Sequence, residues 1–213
     1  MNFDQFLKAI SKIDNIELPA EASQFKMSPP FRLELVKQQQ DKIKHAKKSA
    51  VLALFYPDKD YKTKLILILR NTYNGVHSAQ VGFPGGKLED QDESLEFAAL
   101  RETEEEIGVP IKDIEILKSL TQVYIPPSNF YVQPFIGVSR QIPSFIKDDT
   151  EVEELIEVPL IHFLDDQSVI TKIVSTSYNV DVEVPAYQLN NYVVWGATAM
   201  MLSEIKDLLK TLL

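Results

Sequence analysis

The stretch that most limits what this chain can become runs from Phe83 to Val109, FPGGKLEDQDESLEFAALRETEEEIGV. Pro84-Gly85-Gly86 is a strong breaker cluster. A helix is expected to begin near Asp92 to Ser94, with acidic residues in the first turn, and to end at Gly108, with Pro110 just beyond. At the helical step of about 100° per residue, Glu102, Glu105 and Glu106 fall within an arc of roughly 100°, because they are spaced i, i+3 and i+4. Glu104 points nearly the opposite way. Leu100, Thr103 and Ile107 form a separate, mostly apolar stripe suited to packing on a sheet. A tight turn, a loop and a carboxylate-rich helix are thus fixed in sequence, and four of the chain's seven glycines lie between Gly75 and Gly86.

Like charges at i, i+4 cost a few tenths of a kcal/mol per pair, and a divalent cation removes that cost. Carboxylate oxygens suit hard ions such as Mg²⁺ or Mn²⁺. Such an ion also binds substrate phosphates and acidifies a water beside phosphorus, which is what phosphoanhydride hydrolysis requires. The plain alternative is a solvated acidic helix face. Its weight is lowered by the company the glutamates keep: the Gly-Gly turn, Arg101 and the terminal Gly108.

That combination resembles the Nudix box, G-x(5)-E-x(7)-R-E-U-x-E-E-x-G-U, where U is a bulky aliphatic residue. Arg101-Glu102-Thr103-Glu104-Glu105-Glu106-Ile107-Gly108-Val109 matches its second half, and Glu93 takes the place of the isolated glutamate. Thr103 departs from the aliphatic position. Six residues separate Gly86 from Glu93 instead of five, and this extra residue resembles the branch of the family that cleaves coenzyme A. An upstream signature of the same branch reads Leu67-Ile68-Leu69-Arg70-Asn71, then Gly75-Val76-His77-Ser78-Ala79-Gln80-Val81-Gly82-Phe83-Pro84-Gly85-Gly86. Ala79 stands where the branch usually has glycine, and Gly75 where many members have arginine.

The resemblance implies an α/β fold, a Nudix-type α/β/α sandwich around a central mixed β-sheet. It would span residues 1–213 as one domain, with 1–47 as an N-terminal helical extension packed on it. The implied activity is metal-dependent hydrolysis of the pyrophosphate of coenzyme A or acyl-CoA, giving 3′,5′-ADP and (acyl-)4′-phosphopantetheine. Glu102, Glu105 and Glu106 would bind Mg²⁺ or Mn²⁺. Glu105 stands first as proton acceptor; Glu151 and Glu154 stand second, as accessory base or further metal ligand. Arg101 would hold the helix glutamates in place. Arg70, His77, Ser78, Gln80, Gly85 and Gly86 would meet the substrate. The same box serves enzymes acting on ADP-ribose-like nucleotides or nucleoside triphosphates, and a nucleotide-binding regulatory module is the non-enzymatic alternative.

Composition narrows the classes further. There is no cysteine, which excludes a disulfide framework, a thiolate metal site and a cysteine nucleophile. No secretory signal or apolar run of membrane-spanning length is present, so the expectation is a cytoplasmic protein without a membrane partner. A net charge of −9 argues against a nucleic-acid partner. It leaves a small phosphorylated ligand open, since a bound metal reverses the local field. The arginines are four: Arg32, Arg70, Arg101 and Arg140. Arg70, at a strand end, is the candidate for substrate, against the alternative of a surface ion pair.

Taken in order, residues 2–13 place Phe3, Phe6, Leu7, Ile10 and Ile13 at helical spacing. Residues 14–31 read as an irregular connection. Residues 32–48 read as weakly helical and end in Lys42, Lys44, His45, Lys47 and Lys48, either a solvated patch or a hold for the 3′-phosphate of a coenzyme A nucleotide. Strands are expected at 49–56, 64–69, 78–83, 114–125 and 131–138, the second apolar enough to be covered on both faces. In the loop before the last, Phe130 and Tyr131 either stack on substrate or fill the core. Residues 148–160 hold the acidic cluster with Glu151 and Glu154, whose alternative role is an acidic rim on an edge strand. Residues 168–175 and 180–188 form a hairpin. Trp195, read as a packing residue, precedes an amphipathic helix at 197–212. The two terminal helices leave a homodimer open.

Overall fold

A computed structural model describes residues 1–71, 80–175 and 181–213; His77 and Ser78 lie outside them. The strands are β1 (Lys47–Pro57), β2 (Thr63–Arg70), β3 (Val81–Gly82), β4 (Gly85–Lys87), β5 (Ile114–Ser119), β6 (Val123–Ile125), β7 (Phe130–Ser139), β8 (Val152–Pro159), β9 (Val169–Ser175), β10 (Asp181–Leu189) and β11 (Tyr192–Val194). The helices are α1 (Phe3–Ile10), α2 (Ala20–Gln24), α3 (Arg32–Gln38), α4 (Gln40–Ile43), α5 (Leu95–Ile107), α6 (Leu160–Leu164) and α7 (Gly196–Leu212).

The central sheet is mixed. Its path runs β3-β2-β1-β7-β5, with β4 added on β1, β6 on β7 and β8 on β2. β1 and β7 run parallel over Lys47–Phe55, and the other pairs are antiparallel. The side-chain period of two explains why β1 and β2 are apolar almost throughout. Leu52, Leu54, Tyr56, Ile66 and Ile68 point to one core, shared with Ala98, Ala99 and Ile107 of α5. Ala53, Phe55, Leu65 and Leu67 point to the other, shared with α1 and with Met200, Met201, Ile205 and Leu208 of α7. Helices therefore cover both faces of the sheet. Among the described residues no helix is long and apolar enough to cross a membrane.

Several expectations need correction. The 14–31 segment is not irregular throughout: α2 forms there, followed by a 3₁₀ turn at Phe25–Met27. Its order comes from distant partners. Gln24 Nε2 donates to Glu204 Oε2 of α7 (2.9 Å) and to the Thr121 carbonyl (3.0 Å), and the Ser203 hydroxyl donates to the Ser23 carbonyl (2.7 Å). The 114–125 strand is two strands. The register slips between Ile116 and Lys118, and the chain then turns, with the Leu120 carbonyl accepting from Gln133 Nε2 (2.6 Å). The hairpin β9–β10 gains a third strand, β11, from residues expected only to lead into the last helix.

Candidate active site

The site begins with two glycines on β4. Val51 faces Gly85 and Ala50 faces Gly86 across the β1–β4 ladder. Gly85 sits at φ 145°, and a Cβ there would overlap the Ala50 carbonyl, so only glycine fits. A Cβ at Gly86 would overlap the Glu102 carboxylate. The bare backbone at Gly86 is thus what lets α5 bring an acid against the sheet.

α5 is bounded by local chemistry. Ser94 Oγ accepts from the Phe97 N–H (3.0 Å) as N-cap, and Gly108, at φ 73°, closes the helix with its N–H on the Glu104 carbonyl (2.9 Å). Thr103 occupies the buried stripe without leaving an orphaned hydroxyl, because Oγ1 donates to the Ala99 carbonyl (2.7 Å).

The three glutamates of the shared face meet different surroundings. Glu106 is buried, its side chain 2% exposed; Oε2 accepts from the Gly85 N–H (2.8 Å), and Oε1 lies 3.1 Å from Arg70 Nη2. That second approach is an ion pair without hydrogen-bond geometry, so Oε1 has no hydrogen-bond donor. Burial pushes the Glu106 carboxyl up to about 7, against the pull of Arg70 and the Gly85 N–H, with Glu102 and Glu151 adding to the rise. Glu102, 13% exposed, is also raised, first by burial, while Arg101 at 3.1 Å opposes it. Glu105, 57% exposed, sits on the rim, 2.8 Å from Arg101 Nη1. Glu104 is exposed on the far side, as the helical spacing requires.

Arg101 is the keystone of this end. Its Nε and Nη2 donate to the two oxygens of Asp92 (2.8 and 2.9 Å), and it also reaches Glu102, Glu105 and the Lys87 carbonyl. The Arg101 fork holds the Asp92 carboxyl below its ordinary value. Glu93, expected in the isolated acidic position, is exposed. With five residues between, as in the box, the acid after Gly86 is Asp92, and that spacing is the signal that points to the acid Arg101 holds. Arg70, expected to meet substrate, lines the cleft and also serves the protein: Nη2 donates to the Gly85 carbonyl (2.6 Å) and faces Glu106.

Beside these residues lies a cleft of about 480 Å³. Glu102, Glu151, Arg70, Gln80, Gly85 and Gly86 line one part of it. Glu105 stays outside that lining and Glu106 lies beneath it, behind Gly85. Glu154 is also outside: it sits on β8 opposite Leu69 and accepts a hydrogen bond from the Tyr192 hydroxyl. Phe130 lines the cleft, whereas Tyr131 packs on Tyr124 with ring centroids 5.3 Å apart. Trp195, expected to be packing alone, borders the cleft, and Thr198 Oγ1 pins the start of α7 to the Val81 carbonyl (3.1 Å). Sequence reasoning missed Phe31, Arg32 and Leu35, which bring the N-terminal segment into the wall. None of Lys42, Lys44, His45, Lys47 and Lys48 contributes to it.

Among the described residues, no three acids or histidines are gathered into a finished coordination sphere. Arginine and N–H partners hold the helix carboxylates instead. The donor set nevertheless fits a hard cation. All donors are carboxylate oxygens, Glu151 is close enough to raise the proton affinity of Glu102 and Glu106, and Glu106 Oε1 is buried without a donor.

Comparison with known proteins agrees with this geometry. A family model described as the NUDIX domain matches residues 46–168, more than half of the chain. A Caenorhabditis elegans protein named peroxisomal coenzyme A diphosphatase is 30% identical over 155 residues, covering 72% of this chain and 64% of its own length, somewhat under two thirds. A Yersinia pestis protein named as an uncharacterized Nudix hydrolase is 34% identical over 149 residues, covering 66% of this chain and 70% of the relative. The crystal structure of RenU, a Nudix hydrolase from M. smegmatis, superposes with a TM-score of 0.54 at 15% identity, covering 79% of this chain and 88% of RenU, a likeness of fold. With the box on α5, the glycine pair on β4 and the match across 46–168, the chain belongs to the Nudix family of pyrophosphohydrolases.

Proposed function

We propose that this protein hydrolyses the pyrophosphate of coenzyme A or acyl-CoA, releasing 3′,5′-ADP and (acyl-)4′-phosphopantetheine. The observation that carries the reading is the joining of a carboxylate end to an apolar, aromatic-bearing extension within one cleft. A pyrophosphate flanked by a nucleoside and a long neutral arm needs both parts. The nematode relative's name and the signature around Arg70 and Gln80 support the same substrate.

Glu102 and Glu106, with Glu105 at the rim, are the residues that would hold Mg²⁺ or Mn²⁺. When bound, such an ion neutralises the pyrophosphate and makes a water acidic enough to attack phosphorus. Arg101 keeps Glu102 and Glu105 in place, and Arg70 fixes Glu106. The bare backbone of Gly86 lets the Glu102 carboxylate close on the sheet beside the cleft. The rim position of Glu105 beside Arg101 disfavours it as proton acceptor against Glu151, which lines the cleft without an ion-pair partner among the described residues.

The test is product analysis by mass spectrometry after incubation with coenzyme A and Mg²⁺ or Mn²⁺, alongside ADP-ribose and nucleoside triphosphates. Release of 3′,5′-ADP and 4′-phosphopantetheine, abolished in Glu106→Gln, supports the proposal. Turnover of another nucleotide alone keeps the chemistry and removes the substrate.

A further inference from the structure

Three of the four arginines are in ion pairs: Arg70 with Glu106, Arg101 with Asp92, Glu102 and Glu105, and Arg140 with Glu115. Arg32 differs. Among the described residues no carboxylate forms an ion pair with it, and the partner it does have is neutral, the main-chain carbonyl of Tyr124, to which Nη2 donates. A guanidinium offers five N–H donors, so this bond leaves most of its capacity for something else.

Its setting makes that lack of counter-charge costly. Arg32 opens α3 and stands in the cleft wall with Phe31, Leu35, Pro126, Pro127 and Phe130. Lost hydration lowers its pKa to about 10, which still leaves a cation at neutral pH. A cation kept in an apolar wall without an acid beside it lacks the usual compensation for burial. An anionic group on the ligand supplies it.

The sheet sets how far that anion lies from the reacting centre. β6, which carries Tyr124, is followed sideways by β7, β1 and β4. Tyr124 and the Gly85-Gly86 pair are therefore three strand spacings apart, about 14 Å. One phosphate does not bridge the carboxylate end and Arg32, but two phosphates on one ribose fit such a separation. The pantetheine arm is neutral and offers Arg32 nothing, whereas the nucleoside half carries a phosphate monoester and a base to lie on Phe31 or Phe130.

We propose that Arg32 binds the 3′-phosphate on the substrate's ribose, apart from the scissile pyrophosphate, and so selects 3′-phosphorylated nucleotides. This rests on the coenzyme A reading above. Arginine suits the role because its planar fork meets a phosphate with two parallel hydrogen bonds. Arg32 also lies outside residues 46–168, so the selecting group belongs to the N-terminal segment and not to the shared domain.

Coenzyme A and dephospho-coenzyme A differ only in this phosphate. Steady-state hydrolysis of both, by wild type, Arg32→Met and Arg32→Lys, tests the assignment. Wild type should favour coenzyme A. In Arg32→Met the kcat/KM ratio of coenzyme A to dephospho-coenzyme A should fall about 10- to 100-fold, mostly through KM, the range expected for a charged hydrogen-bonded contact. Arg32→Lys should recover part of the ratio, since it keeps the charge and the packing stem but loses the fork. Equal losses on both substrates would mean that Arg32 merely ties α3 to β6, and would overturn the proposal. An unchanged ratio in both variants would overturn it as well. Wild type that turns over neither substrate removes the coenzyme A reading itself and this inference with it, an outcome distinct from a selective enzyme indifferent to Arg32.

Discussion

The two ends of the cleft are built in opposite ways. The carboxylate end comes mainly from one continuous stretch, β4 to α5, and is neutralised from within: Arg101 holds Asp92, Glu102 and Glu105, and Arg70 holds Glu106. The apolar end is assembled from α3, the Pro126–Phe130 loop and the start of α7, segments far apart in sequence. It carries a cation, Arg32, with no acid paired to it among the described residues. The contrast teaches that the carboxylate end is encoded locally and pre-organised by its own ion pairs, whereas the apolar end is encoded by assembly.

Breaking the reactive end should have the largest effect. Glu102→Gln and Glu106→Gln are each expected to lower turnover by about two to three orders of magnitude, with unchanged circular dichroism. Glu104→Gln, on the exposed face, should stay within about twofold. Equal damage from Glu104→Gln would show that the face assignment is wrong. A step below, Asp92→Asn should loosen the Arg101 fork and reduce kcat about 10- to 100-fold through misplaced glutamates, while Glu93→Gln should not. Kinetics on the two variants decide which acid completes the box.

The third prediction concerns stability. The folded-state pKa of Glu106 is near 7, above the 4.5 of an unperturbed glutamate. Between those values the folded protein binds more protons than the unfolded one, so this group's contribution to stability falls as pH rises through the window. In metal-free protein at pH 8, Glu106→Gln should therefore be more stable than wild type by about 3 kcal/mol, the two converging below pH 4.5. Urea unfolding across pH measures the difference, and a constant offset at all pH values would refute it. The smallest effect is expected from Lys47→Ala plus Lys48→Ala: both side chains are exposed and outside the cleft wall, and KM for coenzyme A should remain within about twofold.

Much of the reactive end was legible because neighbours in sequence determine it. The caps at Ser94 and Gly108, the face shared by Glu102, Glu105 and Glu106, and the buried Thr103 stripe follow from helix geometry. The almost wholly apolar β2 announced a strand covered on both faces. Asp92 was readable too, from its distance to Gly86, but counting back from Arg101 selected Glu93. The difference is whether a loop residue can fold back onto the helix, which a linear motif does not express.

The sequence by itself determined the helix, its charged face and the family, because each is fixed by local periodicity or spacing along the chain, whereas the glycines expected to turn the chain pair with β1 as strand β4. Only the tertiary structure decided that Arg70 pairs with Glu106, that Glu151 enters the cleft while Glu154 turns to Tyr192, and that Arg32 and Trp195 form its walls. Those placements depend on the parallel pairing of β1 with β7, on β8 joining β2, and on α3 docking against β6. Contacts of that range are made by the folded sheet, and no window of neighbouring residues contains them.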